Sequence, residues 1–301
     1  MAGRTSKLAP LSALVDMLEP GSGLALGGVL DANRPAAFVR EVVRRRVGGL
    51  TLYSAPGSGW DADLLIGAGL VRRTVMPMVT MTPLGFAPCF RAAVEAGELE
   101  APPIDAMSLV AGYLAAGQGH AFHLLGSVEG TDIATDPRLF ETLTDSAGQE
   151  HRAVRAIAPD LCVLCVEEAD EFGNVRHARG RVADLLMARA SARTVVMAER
   201  IVPNATVRAE PARTTVPGHL VAAVVATPFG AHPTSTAGYG ADYEHLKRYH
   251  RAAEARRGGE SAEYEEYLRQ FVTGPADEAA YREAVGGAAT EARLREATTD
   301  D

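Results

Sequence analysis

Cysteine is scarce: Cys89, Cys162 and Cys165 are the only three in 301 residues. An odd, sparse set builds no disulfide framework and fits a reducing cytoplasm. No apolar run of about 18 residues occurs, so no membrane span is expected. Arg4 and Lys7 stand near the start, but Asp16, Glu19 and Pro20 interrupt the stretch beyond them, so a secretory signal is not expected either. Positive charge is also in deficit. Thirty Lys and Arg against 38 Asp and Glu leave a net charge of −8, which argues against nucleic acid or an anionic membrane as partner. Several catalytic signatures are missing. There is no G-x-S-x-G elbow. The series Gly21-x-Gly23-x-x-x-Gly27-Gly28 lacks both the dinucleotide spacing and the Lys-Ser/Thr of a phosphate loop. His120 and His123, like His245 and His250, lack metal-ligand spacing, so no metal centre is expected.

What is present is an ordinary globular balance, 47% hydrophobic and 23% charged. A chain of this length buries roughly three quarters of its unfolded surface without covalent staples. Helical spacing of Leu11, Leu14, Val15 and Leu18 predicts a short first helix. Leu24–Leu26 reads as a strand running into Gly27-Gly28, and a helix begins at Pro35 with Phe38, Val39, Val42 and Val43 as its apolar stripe. Leu50–Tyr53 and Val75–Val79 read as strands, and helices are expected near residues 61–66, 88–97 and 105–116. Beyond them come a strand at Leu161–Val166, a turn at Asp170–Asn174, a helix at 182–192, strands at 193–198 and 220–226, and a Gly-rich loop at 229–240. The alternation predicts an α/β fold: an open, mostly parallel sheet with helices on both faces. From about residue 242 to 301 the pattern is polar and helical, so one domain over 1–301 with a helical C-terminal extension is expected. Cys162 and Cys165 match C-x-x-C, but they fall three apart on a strand. Their thiols should point to opposite faces and form neither a redox pair nor a zinc site.

Longer stretches carry a resemblance. Gly27-Gly28-Val29 is followed by Arg34-Pro35, and Leu50-Thr51-Leu52 by the run from Asp63 to Arg73. Gly85-Phe86-Ala87-Pro88 then leads to Gly97, Ala169-Asp170 to Gly173-Asn174-Val175, and Asp184 to Glu199. Pro228 through Thr234, with Tyr239 and Asp242, completes the series, which runs in order from about residue 20 to 270. Together these segments resemble the α subunits of family I CoA transferases.

The resemblance implies a CoA-transferase-like fold and a β-type partner subunit, hence a hetero-oligomer. It implies an acyl-CoA and a small organic acid as substrates, and no permanently bound cofactor beyond the coenzyme A thioester that reacts. Family members use a glutamate nucleophile carried on the β chain beside an asparagine. This sequence has no Glu-Asn pair and is too short to hold both halves fused. The substrate-binding residues it implies are Gly27, Gly28, Val29, Pro77, Met78, Thr82, Gly85 and Phe86. A Cβ at either glycine is expected to intrude on the thioester or on the backbone donors. Pro77-Met78 and Thr82 stand where glutaconate-type members have a Ser-Tyr pair and a Glu, so the acyl pocket is expected to be apolar at its far end. Hydrolase-type members carry a working Glu at the position that falls here on Ile104, beside Asp105. Asp105 is the one catalytic candidate on this chain, and it is read first as the cap of the helix beginning there. The alternatives are an acyl-CoA hydrolase or carbon–carbon lyase, a decarboxylase on the same architecture, or a non-catalytic scaffold.

Overall fold

The structure, a computed structural model, describes residues 4–54, 56–126, 128, 130–178 and 182–297. Six strands form a parallel sheet in the spatial order Val71–Val75, Leu50–Tyr53, Gly23–Leu26, Leu161–Ala169, Arg193–Ile201, Ala223–Ala226. The short strand Val175–Arg176 pairs antiparallel with the end of Leu161–Ala169. Chain order reverses between Gly23–Leu26 and Leu161–Ala169. This is the topological switch point, where the flanking connections diverge to opposite faces and leave a crevice at the carboxyl ends.

Strand alternation builds a core on each face. Leu24, Leu26, Leu52, Val163, Cys165 and Met197 pack with helices Ala36–Arg45 and Trp60–Gly67. Ala25, Cys162, Leu164, Val166 and Val196 pack with Ala106–Gln118 and Asp184–Ala190. Cys162 and Cys165 therefore lie in different cores, as their spacing requires. The C-terminal helices belong to the first core rather than lying outside it, because Leu246, Tyr249, Tyr264, Tyr267 and Tyr281 are buried there. Arg40 fastens the last of these segments. It is fully buried, pairs with Glu278, donates to the His232 carbonyl at 2.7 Å and lies 3.5 Å from the Tyr281 ring centre.

Two expectations are corrected. The strand expected at Val75–Val79 lies at Val71–Val75. Its arginines hid it, yet Arg73 is buried and neutralised by Glu100 at 3.0 Å and Asp136 at 2.9 Å. Pro77 lacks the N–H that would continue the ladder. Residues 122–155 also form an antiparallel sheet of Phe122–Leu125, Phe140–Thr144 and Glu150–Arg155 that local sequence patterns do not announce. Its strands are only partly buried, with Phe122 and Leu124 exposed and polar residues interleaved in the other two, so no continuous apolar run marks them.

Asp63 joins the sheet domain to the C-terminal helices. It is buried, accepts the Phe90 N–H at 2.7 Å and the Tyr249 hydroxyl at 2.8 Å, and burial pushes its carboxyl up to about 6 despite those donors. A carboxyl raised above its unfolded value near 4 contributes stability that is complete below that value and lost as pH rises through about 6. Asp63→Asn mimics the protonated form. Its urea midpoint relative to the parent should rise between about pH 4.5 and 6.5 and then level off. A constant offset across that range contradicts the assignment.

Candidate active site at the carboxyl ends of the parallel strands

The switch point is closed by the loop that leaves Gly23–Leu26. Gly27 donates its N–H to the Val163 carbonyl at 2.9 Å, tying the loop to the neighbouring strand. Gly28 has φ +85°, and a Cβ there would overlap the Ala32 and Asn33 carbonyl oxygens. The tightness of the turn by itself demands glycine here, whatever else the loop faces. The Gly28 N–H donates to Asp184 Oδ1 at 3.0 Å, and the Val29 N–H to the Ala32 carbonyl at 3.0 Å. All three donors are therefore engaged. Leu30 and Asn33 also take positive φ, 49° and 54°, and the Asn33 N–H donates to the Ser235 carbonyl at 2.7 Å.

The next residue is the clamp. Arg34 is fully buried and meets equally buried Asp61, with Nε 2.7 Å from Oδ2. The same guanidinium reaches Ser54 Oγ, Ser58 Oγ and the Gly57 carbonyl. Asp61 Oδ1 in turn accepts from the Ser58 hydroxyl at 2.8 Å and the Gly59 N–H at 3.2 Å. The loop so held docks on the segment after Val71–Val75: the Ser58 N–H donates to the Met78 carbonyl at 3.2 Å, and the Thr80 N–H to the Ser58 carbonyl at 2.9 Å.

The residues expected around an acyl pocket thus fall at the same end of the sheet as the glycine loop. Pro77 is half-buried, while Met78, Thr82, Gly85 and Phe86 are exposed on a tight hairpin of Thr80–Met81 with Gly85–Phe86. Phe86 is 74% exposed and Met78 45%, so an apolar surface stands open beside the loop. Asp105 is elsewhere in role. Its Oδ1 accepts the Met107 and Ser108 N–H groups at 2.8 and 3.0 Å, and its Oδ2 accepts the Ser108 hydroxyl at 2.5 Å. Burial would raise its carboxyl, but these donors outweigh it and hold it below the usual range. It caps Ala106–Gln118, and Ile104 is buried in the second core.

Sequence reasoning gave no role to the carboxylates of the neighbouring strands. A cavity of about 600 Å³ opens there, walled in part by Glu167, Arg176, His177, Glu199 and Ala237. Glu167 accepts the Ala178 N–H at 2.9 Å, the Ala237 N–H at 3.2 Å and the Asn33 amide at 3.3 Å. Glu199 is pushed up by burial and accepts the Phe229 N–H at 2.9 Å and the Tyr239 hydroxyl at 3.0 Å. The available signal was position: a Glu-Glu pair ending an otherwise apolar strand. Among the described residues, no group of three or more His, Cys, Asp and Glu is arranged to hold a metal ion. No helix among them is long and apolar enough to cross a membrane.

This arrangement has known counterparts. Residues 10–227 match the family described as Coenzyme A transferase. The chain belongs to the coenzyme A transferase family. It is 27% identical over 257 residues to one of the subunits of glutaconate CoA-transferase of Acidaminococcus fermentans, covering 79% of this chain and 80% of that one. The crystal structure of glutaconate coenzyme A-transferase from that organism superposes with a TM-score of 0.89 over 96% of each chain at 24% identity, a likeness of fold. The cholesterol ring-cleaving hydrolase IpdA subunit of Mycobacterium tuberculosis is 28% identical over 294 residues, 93% of this chain and 97% of that one. An uncharacterized protein of Archaeoglobus fulgidus is 30% identical over 286 residues, 94% of this chain, and this chain spans only 63% of its length.

In this coenzyme A transferase chain the Arg34–Asp61 pair carries the registry of the strand-end loops. Removing one partner strands a buried charge, which costs about 3–5 kcal/mol. Arg34→Met should lower the unfolding free energy by that amount. The double variant Arg34→Met/Asp61→Leu, which removes both charges, should recover much of the loss. Denaturant titration of the three proteins decides, and a loss in Arg34→Met below about 1 kcal/mol contradicts the clamp.

Proposed function

We propose that this chain is the α-type subunit of a two-subunit CoA transferase, moving CoA between an acyl-CoA and a small organic acid in the cytoplasm. A β-type partner supplies the nucleophilic glutamate. The observation that carries this reading is a strand-end frame whose glycine-loop donors and glutamate carboxylates already have partners. The N–H groups of Gly27, Gly28 and Val29 are all engaged, and the carboxylates of Glu167 and Glu199 each accept two or more hydrogen bonds. The open apolar surface at Met78 and Phe86 offers the partner a seat beside that frame.

In the reaction so assigned, the partner's glutamate attacks the thioester carbonyl and expels CoA thiolate, leaving an acyl-glutamyl anhydride. The thiolate attacks the glutamyl carbonyl and releases the first acid. The incoming carboxylate then reverses both steps. Dividing one transfer into several lowers each barrier, and oriented donors must hold the oxyanion as it forms. The thioester is the substrate, and no resident cofactor takes part. This chain contributes pocket walls. Pro77 offers no N–H donor and Met78 an adaptable apolar surface, which favours an acyl group apolar at its far end over a short diacid. The capping role of Asp105 and the burial of Ile104 weigh against hydrolase-type chemistry.

The chain alone, and the chain mixed with a β-type partner, should be assayed with glutaryl-CoA and with an apolar acyl-CoA of similar length. The lone chain should be inactive and the complex active, with kcat/KM favouring the apolar substrate. Robust turnover by the lone chain removes the subunit reading. A preference for the diacid of about tenfold, about 1.4 kcal/mol, removes the apolar pocket.

A further inference from the structure

Asp184 holds the glycine loop and, through His177, the cavity wall at once. Its carboxylate is 1% exposed, with Oδ1 on the Gly28 N–H at 3.0 Å and Oδ2 2.9 Å from His177 Nε2. An ionised carboxylate only accepts, so Nε2 carries the proton between them. His177 is equally buried, and its Nδ1 lies 2.7 Å from Thr215 Oγ1. His177 separates two openings, the cavity of about 600 Å³ and a smaller one of about 200 Å³. The adjoining residue, Ala178, donates to Glu167, which also holds Asn33 at the far end of the same loop. Both ends of the loop are therefore fastened, through carboxylates, to the segment His177-Ala178.

Packing alone gives no reason for this choice. A buried carboxylate is expensive, and an apolar group of similar size would fill the place at least as well. What the carboxylate adds is direction: two acceptors at fixed angles, one for a backbone N–H and one for a ring N–H. We propose that Asp184, acting with His177, is a positioning residue for the transfer reaction, holding the Gly27–Asn33 loop in the one arrangement against which the reacting thioester is seated. The proposal rests on the reading of the chain as an α-type transferase subunit. It extends that reading to residues that touch no substrate.

The test is a double-mutant cycle on the assembled two-subunit enzyme, with amide exchange measured in parallel. Asp184→Asn keeps an oxygen for Gly28 but turns an amide donor toward the protonated Nε2. His177→Phe keeps the ring volume and removes the N–H. Each should lower kcat about 10- to 100-fold while KM for acyl-CoA stays within about twofold, the signature of misplacement rather than lost binding. The double variant should fall no further than the worse single, because the two residues act as a unit. His177→Gln, whose amide can still donate to Asp184, should recover part of kcat. In the chain itself, exchange of the Gly28 amide should quicken in both single variants. Additive losses in kcat, a fall in thermal stability with kcat unchanged, or unaltered Gly28 exchange each overturn the proposal. If the parent complex transfers no CoA, the transferase reading fails, and the Gly28 exchange rates still decide whether Asp184 and His177 hold the loop.

Discussion

A buried ion pair holds the catalytic end of this molecule together. Arg34 sits one residue beyond the switch-point loop, and Asp61 opens the helix that comes after the next strand. Neither touches solvent, so their attraction is unscreened and leaving either alone is costly. Through Ser54, Gly57 and Ser58 the pair fixes the second loop, and through Ser58 that loop fixes the hairpin bearing Met78 and Phe86. Three loops from three adjacent strands are held in one register by one guanidinium. On the other side of the switch point Glu167 and Asp184 do the corresponding work for the loop's backbone and for Asn33. Charge is buried at this end as a framework.

That framework bears on the proposal that the chain is half of a site. The N–H groups of Gly27, Gly28 and Val29 and the carboxylates of Glu167 and Glu199 each hold another group in place. Beside it Met78 and Phe86 stand exposed. A transferase needs a free nucleophile and free donors for an oxyanion. On the proposed reading these groups serve positioning, and the reacting groups belong to the partner.

The sheet was legible because its strands are short apolar runs separated by helices with clear stripes, and Gly27-Gly28 and the diverging Cys162 and Cys165 fell where the pattern put them. Strand Val71–Val75 was not legible, because two of its five residues are arginines, and the burial of Arg73 depends on Glu100 and on Asp136 far along the chain. The antiparallel sheet at 122–155 hid for a related reason, since half-exposed strands carry no continuous apolar signal. The motifs fell on the loops at the carboxyl ends of the strands, but the contacts that the glycines make there were not visible. Gly28 is confined by its own turn, and its N–H is taken by a residue 156 positions away. Long-range acceptors of this kind leave no trace in local spacing.

The central claim is that the covalent chemistry takes place on the partner while this chain supplies the frame. The direct measurement is to mix the two-subunit enzyme with acyl-CoA, quench it, and weigh each chain by mass spectrometry. The account predicts a CoA-sized increment on a glutamate of the partner, with this chain unmodified. An adduct on Glu167 or Glu199 would contradict it, because those carboxylates would then be reacting groups and not hydrogen-bonded supports.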